Sequence, residues 1–368
     1  MYRSLRYLAI IFVMAPAMVL ARQATDRPST PPAPTPPALP APPCPESAVA
    51  IVQPRVHVAQ PPVHFVRPGQ PTVSVKYDAE KRKTFEKTYK VNSSDILNIE
   101  NKYGRVHVNT WDKKEIKVKV DMIARAGSEN RANDLLNRMQ VDEAREGNTI
   151  YLKTVYEPGR NSGMSSSEIN YTIYMPESNA ITLKNTYGDV YLAALKGKAD
   201  VTMKYGNLKC DRLANANNAL KLTYGSGSCS YINGGTLQLA YFDLNAADAR
   251  SLNGYSKYSD LTIGRLAEGI TMEMKYGSFR VNNISNSIKN IKLASTYIPI
   301  MLNFADNTAF DFDVNVQYGD FKVNKDLVNI TSMEKDYTSA DYKGKFGNSS
   351  SKAAVSITSK YGDVRFTQ

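Results

Sequence analysis

The sequence predicts an all-β chain, a single-chain parallel β-helix (β-solenoid) of about 18–21 residues per coil, with an N-terminal cap of strands and one short helix. Three observations predict it. An apolar-x-apolar run, then Tyr, usually Gly, then another apolar-x-apolar run, returns at Tyr187, Tyr205, Tyr224, Tyr241, Tyr258, Tyr276, Tyr297 and Tyr318, in steps of 18, 19, 17, 17, 18, 21 and 21 residues. A near-constant step of that size marks stacked repeats rather than one globular core. Within a copy the apolar residues alternate, as in Ile270, Met272, Met274 and then Phe279, Val281, which is strand periodicity. Aligned on the Tyr, the residues five positions later are Leu192, Cys210, Cys229, Ala246, Ile263, Val281, Leu302, Val323 and Phe366, a column expected to line the interior.

One coil cannot stand alone. Its four or five inward side chains supply roughly 1.5–3 kcal/mol each, while ordering each of about 20 backbones costs about 1–2 kcal/mol. Stability therefore requires neighbours. The alternation slips by one residue at each Tyr, so the Tyr-Gly pair must be a corner, with Gly expected to take positive φ. Parity favours Tyr rings packed inward or at the corner, ring on ring. The alternative is an exposed ladder whose rings stack on sugars or peptides.

Taken in order, residues 1–21 carry Arg3 and Arg6, an apolar stretch from Leu8 to Leu20, and the ending Val19-Leu20-Ala21. That is the pattern of a secretory signal peptide, with cleavage expected after Ala21. The apolar run is short of a membrane span and Pro16 interrupts it. Residues 22–91 read as a Pro-rich disordered linker; ten of the eighteen residues from Pro28 to Pro45 are Pro, a composition that favours extended polyproline II. Folded structure is expected near Val91. Residues 92–180 are read as the cap: strands about Leu97–Tyr103, Val106–Val108 and Ile116–Val120, then Ala132, Leu135, Leu136 and Met139 at helical spacing after Gly127-Ser128, then strands Thr149–Tyr156 and Ile169–Met175. An early copy of the repeat stands at Tyr103. Residues 181–368 are the repeats, broken by an insertion at about 324–352 and closed by a final copy at Tyr361.

The run Trp-Asp-Lys-x-Glu-Ile-x-Val-x-Val from Trp111 to Val120, the phrase Tyr-Thr-Ile-Tyr-Met-Pro from Tyr171 to Pro176, and the serial Tyr-Gly-Asp-Val copies resemble the bacterial "putative adhesin" family of β-strand-repeat proteins over residues 91–368. The resemblance implies a β-helical exported protein of unassigned biochemical role, and it brings no catalytic residues.

The formal charge of +11 falls to +9 without residues 1–21. A basic exported chain is drawn to anionic glycans, lipid headgroups or other cell-envelope components, set against a plain solvated surface. Export disfavours nucleic acid, and no integral membrane segment is expected in the mature chain. Of three Cys, Cys44 lies in the linker, whereas Cys210 and Cys229 share one column of consecutive coils, a spacing that allows either a disulfide or two buried thiols. Acids stand two residues after several marks. Asp243 and Asp260 fall in adjacent coils and form a candidate acid pair for Ca²⁺ or glycoside cleavage; turn hydrogen bonding is the competing role. The only His are His57, His64 and His107, and no phosphate loop, dinucleotide fingerprint or Gly-x-Ser-x-Gly occurs. No catalytic residue, metal ligand or cofactor is expected. The leading expectation is non-enzymatic, adhesin-like binding or scaffolding at the cell envelope. The rivals are a β-helical polysaccharide lyase or glycosidase, with a cleft built by residues 276–318 or the insertion, and an envelope-stress signalling accessory protein.

Overall fold

A computed structural model describes residues 77–157, 159, 164–348 and 352–368, all within one compact unit, Thr72–Gln368. The expected signal peptide and most of the expected linker, with Cys44, His57 and His64, lie outside the described residues. The described chain is an almost all-β strand-repeat array.

Its first strands are β1 (Ala79–Lys90), β2 (Ile96–Lys102), β3 (Val106–Trp111) and β4 (Glu115–Ala126). Among the described residues the first strand thus starts twelve residues before the expected start at Val91. The linker expectation failed at β1 because that strand is an exposed, Lys- and Glu-rich edge carrying only Ala79, Phe85 and Tyr89 as apolar anchors. It pairs antiparallel with β4, an alternation of apolar residues whose apolar face is buried throughout. Helix α1 (Glu129–Asn137) starts where the sequence places it: the Ser128 side chain caps it by accepting the Arg131 amide, and Ala132, Leu135 and Leu136 are buried. There follow β5 (Met139–Glu146), β6 (Thr149–Tyr156), β7 (Ser165–Pro176), β8 (Ala180–Thr186), β9 (Val190–Leu192) and β10 (Ala199–Leu213). The long run β11 (Asn218–Ile284) passes through four Tyr marks. The chain ends with β12 (Asn290–Thr296), β13 (Ile300–Phe304), β14 (Phe310–Gln317), β15 (Phe321–Lys322), β16 (Val328–Lys335), β17 (Ser339–Phe346), β18 (Ala354–Lys360) and β19 (Val364–Thr367).

Each copy contributes one strand before its Tyr and one after it, and successive copies pair parallel and in register. Val201 faces Leu183 on one side and Leu220 on the other, and Cys210 faces Leu192 and Cys229. The column five residues after the Tyr is buried as expected, apart from Val323, which is half-exposed.

The two ends depart from chain order. Strand β2 lies between β6 and β8, and β3 between β7 and β9, all parallel, so the copy at Tyr103 is a regular rung beside the copy at Tyr187. Only β1, β4, α1 and β5 act as a cap over it, through the antiparallel pairs β1–β4, β4–β7 and β5–β6. The expectation that residues 92–180 precede the repeats as one cap is corrected accordingly. At the other end β18 lies between β12 and β14, and β19 between β13 and β15. The final copy therefore does not close the stack but is wedged one rung inside it. Closure falls to the 324–352 segment, whose β16–β17 hairpin adds antiparallel to β14. The rings of Phe304, Phe310, Phe346 and Phe366 plug the interior there, with Phe310 and Phe346 stacked 4.8 Å apart. Burial of large rings at an open end removes the apolar surface that a terminal rung would otherwise show to water.

Candidate functional site

All ten marks, Tyr103, Tyr187, Tyr205, Tyr224, Tyr241, Tyr258, Tyr276, Tyr297, Tyr318 and Tyr361, have φ between 52° and 62°. The left-handed residue at the corner is the Tyr; of the Gly that follow a mark, only Gly277 also has positive φ, at 136°. For an L-residue this region costs about 1–2 kcal/mol, and it reverses the facing of the side chain. The rings consequently point outward, 38–50% exposed, although parity along an extended strand places them inside.

Gly serves a different purpose. A Cβ on Gly188 would lie 2.0 Å from the Gly104 carbonyl oxygen, and one on Gly206 would lie 2.2 Å from that of Gly188. The missing side chain lets rungs approach closely enough for the ladder to continue through the corner, as in Gly104 N–H to Tyr187 O and Gly188 N–H to Tyr205 O, both 3.1 Å. Beneath the corner, buried Asn101 and Asn185 bond to each other and donate to the carbonyls of Gly104, Ile169 and Gly188. Ser359 does the same for Gly362 at the far end.

The outward rings form a single file. Neighbouring centroids are 4.7–5.3 Å apart and planes are within 11° from Tyr103 through Tyr187, Tyr205, Tyr224, Tyr241, Tyr258, Tyr276, Tyr297 and Tyr361 to Tyr318. The edge of Tyr156 closes the face of Tyr103. Because each ring covers its neighbour, inner ring faces are not free to stack on a sugar, and that part of the exposed-ladder expectation is corrected. What the file presents is edges and hydroxyls. None of the ten hydroxyls bonds to protein among the described residues. They form a row of donor-acceptor groups at rung spacing, roughly 45 Å long.

The two flanks differ. Exposed Lys102, Lys204, Lys257, Lys275 and Lys360 immediately precede their Tyr, and the Lys102 and Lys360 ammonium groups lie 4.6 and 5.5 Å from the adjoining ring centroids. On the other flank runs the Asp/Asn/Ser column. Asp189 accepts the Asn207 amide at 2.7 Å, Asp243 the Asp260 amide at 2.9 Å, and Asp363 the Asp320 amide at 3.0 Å; Asp260 accepts the Ser278 hydroxyl at 2.8 Å. Asp243 and Asp260 are thus adjacent, as expected, but both are engaged in inter-rung turn bonding, the competing role. No group of His, Cys, Asp and Glu that could hold a metal ion occurs among the described residues. His107 stands exposed on β3 against Tyr191, 4.4 Å between centroids. Cys210 and Cys229 face each other in register, Cα atoms 4.5 Å apart, with their sulfurs joined.

No helix among the described residues is long and apolar enough to cross a membrane. No curated protein matches the chain. Among solved structures it is similar to a "putative adhesin" from Bacteroides fragilis NCTC 9343, at 13% identity over 77% of this chain and 97% of that one, TM-score 0.36. It is similar also to a "putative adhesin" from Parabacteroides distasonis ATCC 8503, at 7% identity over 77% and 97%, TM-score 0.36. A "putative cell adhesion protein" from Clostridium sporogenes ATCC 15579 is similar at 12% identity over 78% and 100%, TM-score 0.19. The model of the Toastrack DUF4097 family matches residues 94–367, and with nearly the whole repeat array inside that match the chain belongs to this family.

Proposed function

We propose that the chain is a non-enzymatic, exported, adhesin-like protein whose tyrosine file is the contact line for a linear polymer of the bacterial envelope, anionic glycans being the favoured class. In this reading residues 181–368 form a parallel β-solenoid with coils of about 18–21 residues. In-register parallel pairing of successive copies supports the coil, and the basic flank of the file supports the anionic polymer.

One observation carries the function: ten tyrosine hydroxyls in file at one per rung, none bonded to protein among the described residues. A polymer with its own short repeat meets the same group at each step, so weak contacts add along its length. The acids on which a glycosidase reading depends, Asp243 and Asp260, are occupied by neighbouring rungs.

The test is co-sedimentation of the exported chain with isolated envelope polysaccharide. Replacing Tyr205, Tyr224, Tyr241 and Tyr258 by Phe together removes four hydroxyls and keeps the stack. Expected is a folded protein with binding reduced tenfold or more. Unchanged binding by the Phe variant overturns the proposal, and so does breakdown of the polymer that disappears in Asp243→Asn or Asp260→Asn.

A further inference from the structure

The sheet surface beyond the corner carries a second feature, separate from the tyrosine file. Four residues after the marks at Tyr276, Tyr297, Tyr361 and Tyr318 stand Arg280, Met301, Arg365 and Lys322, and the pairings Arg280–Met301, Met301–Arg365 and Arg365–Lys322 set them in one transverse row on adjacent rungs. Like charges directly opposite on neighbouring strands are destabilising, and here the Asp363 carboxylate, held below its ordinary range by Lys322 and also by Arg365, offsets the repulsion between them. Lys322 is neutralised by Asp363 at 2.5 Å and reaches Asp320 at 3.9 Å. Arg280 and Arg365 are exposed and form no ion pair among the described residues.

Arg280 and Arg365 both line a shallow groove of about 290 Å³. Half-buried Met301 lines it on the rung between them, and the Cα atoms of the two arginines stand two rungs, roughly 10 Å, apart. Along the next outward position Thr367 donates to Asn303 Oδ1 at 2.6 Å, and Asn303 Nδ2 donates to the Asn282 carbonyl at 2.9 Å. These bonds orient a line of amide and hydroxyl groups beside the arginines and leave the Asn282 side-chain amide without a protein partner among the described residues. A second groove, which includes Lys322 and Gln368, joins the first at Arg365 and Thr367.

We infer that this groove binds an acidic sugar, its carboxylate held by Arg280 and Arg365, its ring on Met301, and its hydroxyls on Asn282, Asn303 and Thr367. Guanidinium groups match carboxylates bidentately. An isolated phosphate would use the arginines but has no need of the apolar Met301 between them or of the amide line, and that decides between the two anions. The inference does not rest on the tyrosine file, from which the groove is distinct.

The test is titration of the full exported chain with a uronic-acid oligomer, a neutral oligomer of the same length, and inorganic polyphosphate. Expected is saturable binding of the uronic-acid oligomer alone, weakened by added salt and reduced at least tenfold in Arg280→Gln/Arg365→Gln. Both arginines are exposed, so this variant should fold, and circular dichroism checks it. The charge-matched control Lys114→Gln/Lys292→Gln should bind as the parent does. Binding of the neutral oligomer or polyphosphate as tight as that of the uronic acid overturns the inference. Equal loss in the lysine control, or no loss in the arginine variant, overturns it too. If the four Tyr→Phe replacements abolish uronic-acid binding while the arginine variant retains it, this inference fails and the tyrosine-file proposal stands. The reverse pattern supports the groove alone.

Discussion

Tyr361 stacks on Tyr297, 4.7 Å between centroids and 5° between planes, although Tyr318 is the next mark along the chain. Tyr318 lies one rung further out, 4.8 Å from Tyr361 on its other face. The last repeat is thus held on both sides, with β18 laddered to β12 and β14 and β19 to β13 and β15. A stack whose last copy formed its outer end would lose one rung on truncation. Here a chain ending at Asn348 should lose the order of β14, β16 and β17 as well, because removing the wedge takes the parallel partner of β14 and cuts the terminal hairpin off the stack, while β12 and β13 keep their ladders to β11. Native-state hydrogen exchange reads this: amides of β14 and β17 should exchange at unfolded rates in the truncated chain, and protection retained there would refute the insertion.

Close approach at the corners makes a second expectation. A Cβ on Gly206 meets the Gly188 carbonyl oxygen at 2.2 Å, whereas a Cβ on Gly127 meets nothing within 4 Å. Gly206→Ala should therefore destabilise by about 1–3 kcal/mol, the range for overpacking, while Gly127→Ala should stay within about 0.5 kcal/mol of the parent. Denaturant midpoints compare them. Equal midpoints would mean that the glycine at the mark is dispensable.

The repeat period and the interior column were legible because stacking gives every rung nearly the same surroundings, so the same residue types recur at the same offset, as from Leu192 to Phe366. The outward turn of the tyrosines was not. Alternation counts faces along an extended backbone, and one left-handed residue per rung, such as Tyr224, reverses the count. The order of the terminal rungs was hidden for another reason: copies that share one pattern are interchangeable as pairing partners, and nothing in the phrase at Tyr361 tells β18 to enter between β12 and β14. Strand β1 escaped because three apolar residues in twelve are too sparse to show a period. The row Arg280, Met301, Arg365 and Lys322 has a fixed offset from the marks, but it forms a row only once the true rung order is known.

Cys210 and Cys229, in register on adjacent rungs with Cα atoms 4.5 Å apart, give a prediction by thiol count. The chain carries three Cys. Denatured without reductant, the exported protein should titrate one thiol, Cys44, and three after reduction. A loop of 19 residues closed by the bond should add about 3 kcal/mol by the chain-entropy estimate, so reduction should lower the denaturant midpoint, and the Cys210→Ala/Cys229→Ala variant should not respond to reductant. Three thiols before reduction would mean two buried thiols instead.

Stacking and backbone strain meet at each mark, and a substitution series at Tyr224 separates them. Its ring stacks on Tyr205 at 4.8 Å and on Tyr241 at 5.0 Å while its backbone sits at φ 57°. Two stacks contribute about 1–3 kcal/mol together, and the left-handed backbone costs about 1–2 kcal/mol, so the first offsets the second. Tyr224→Phe keeps both and should leave stability unchanged. Tyr224→Ala loses the stacks and keeps the strain, and should destabilise by about 1–3 kcal/mol. Tyr224→Gly loses the same stacks but removes the strain, so it should be the milder change although it deletes more atoms. Denaturant midpoints of the three variants give the order, parent equal to Phe, then Gly, then Ala. Should Ala prove more stable than Gly, the corner would not be holding Tyr224 in a strained backbone, and the ring file would be a by-product of register rather than what keeps each corner left-handed.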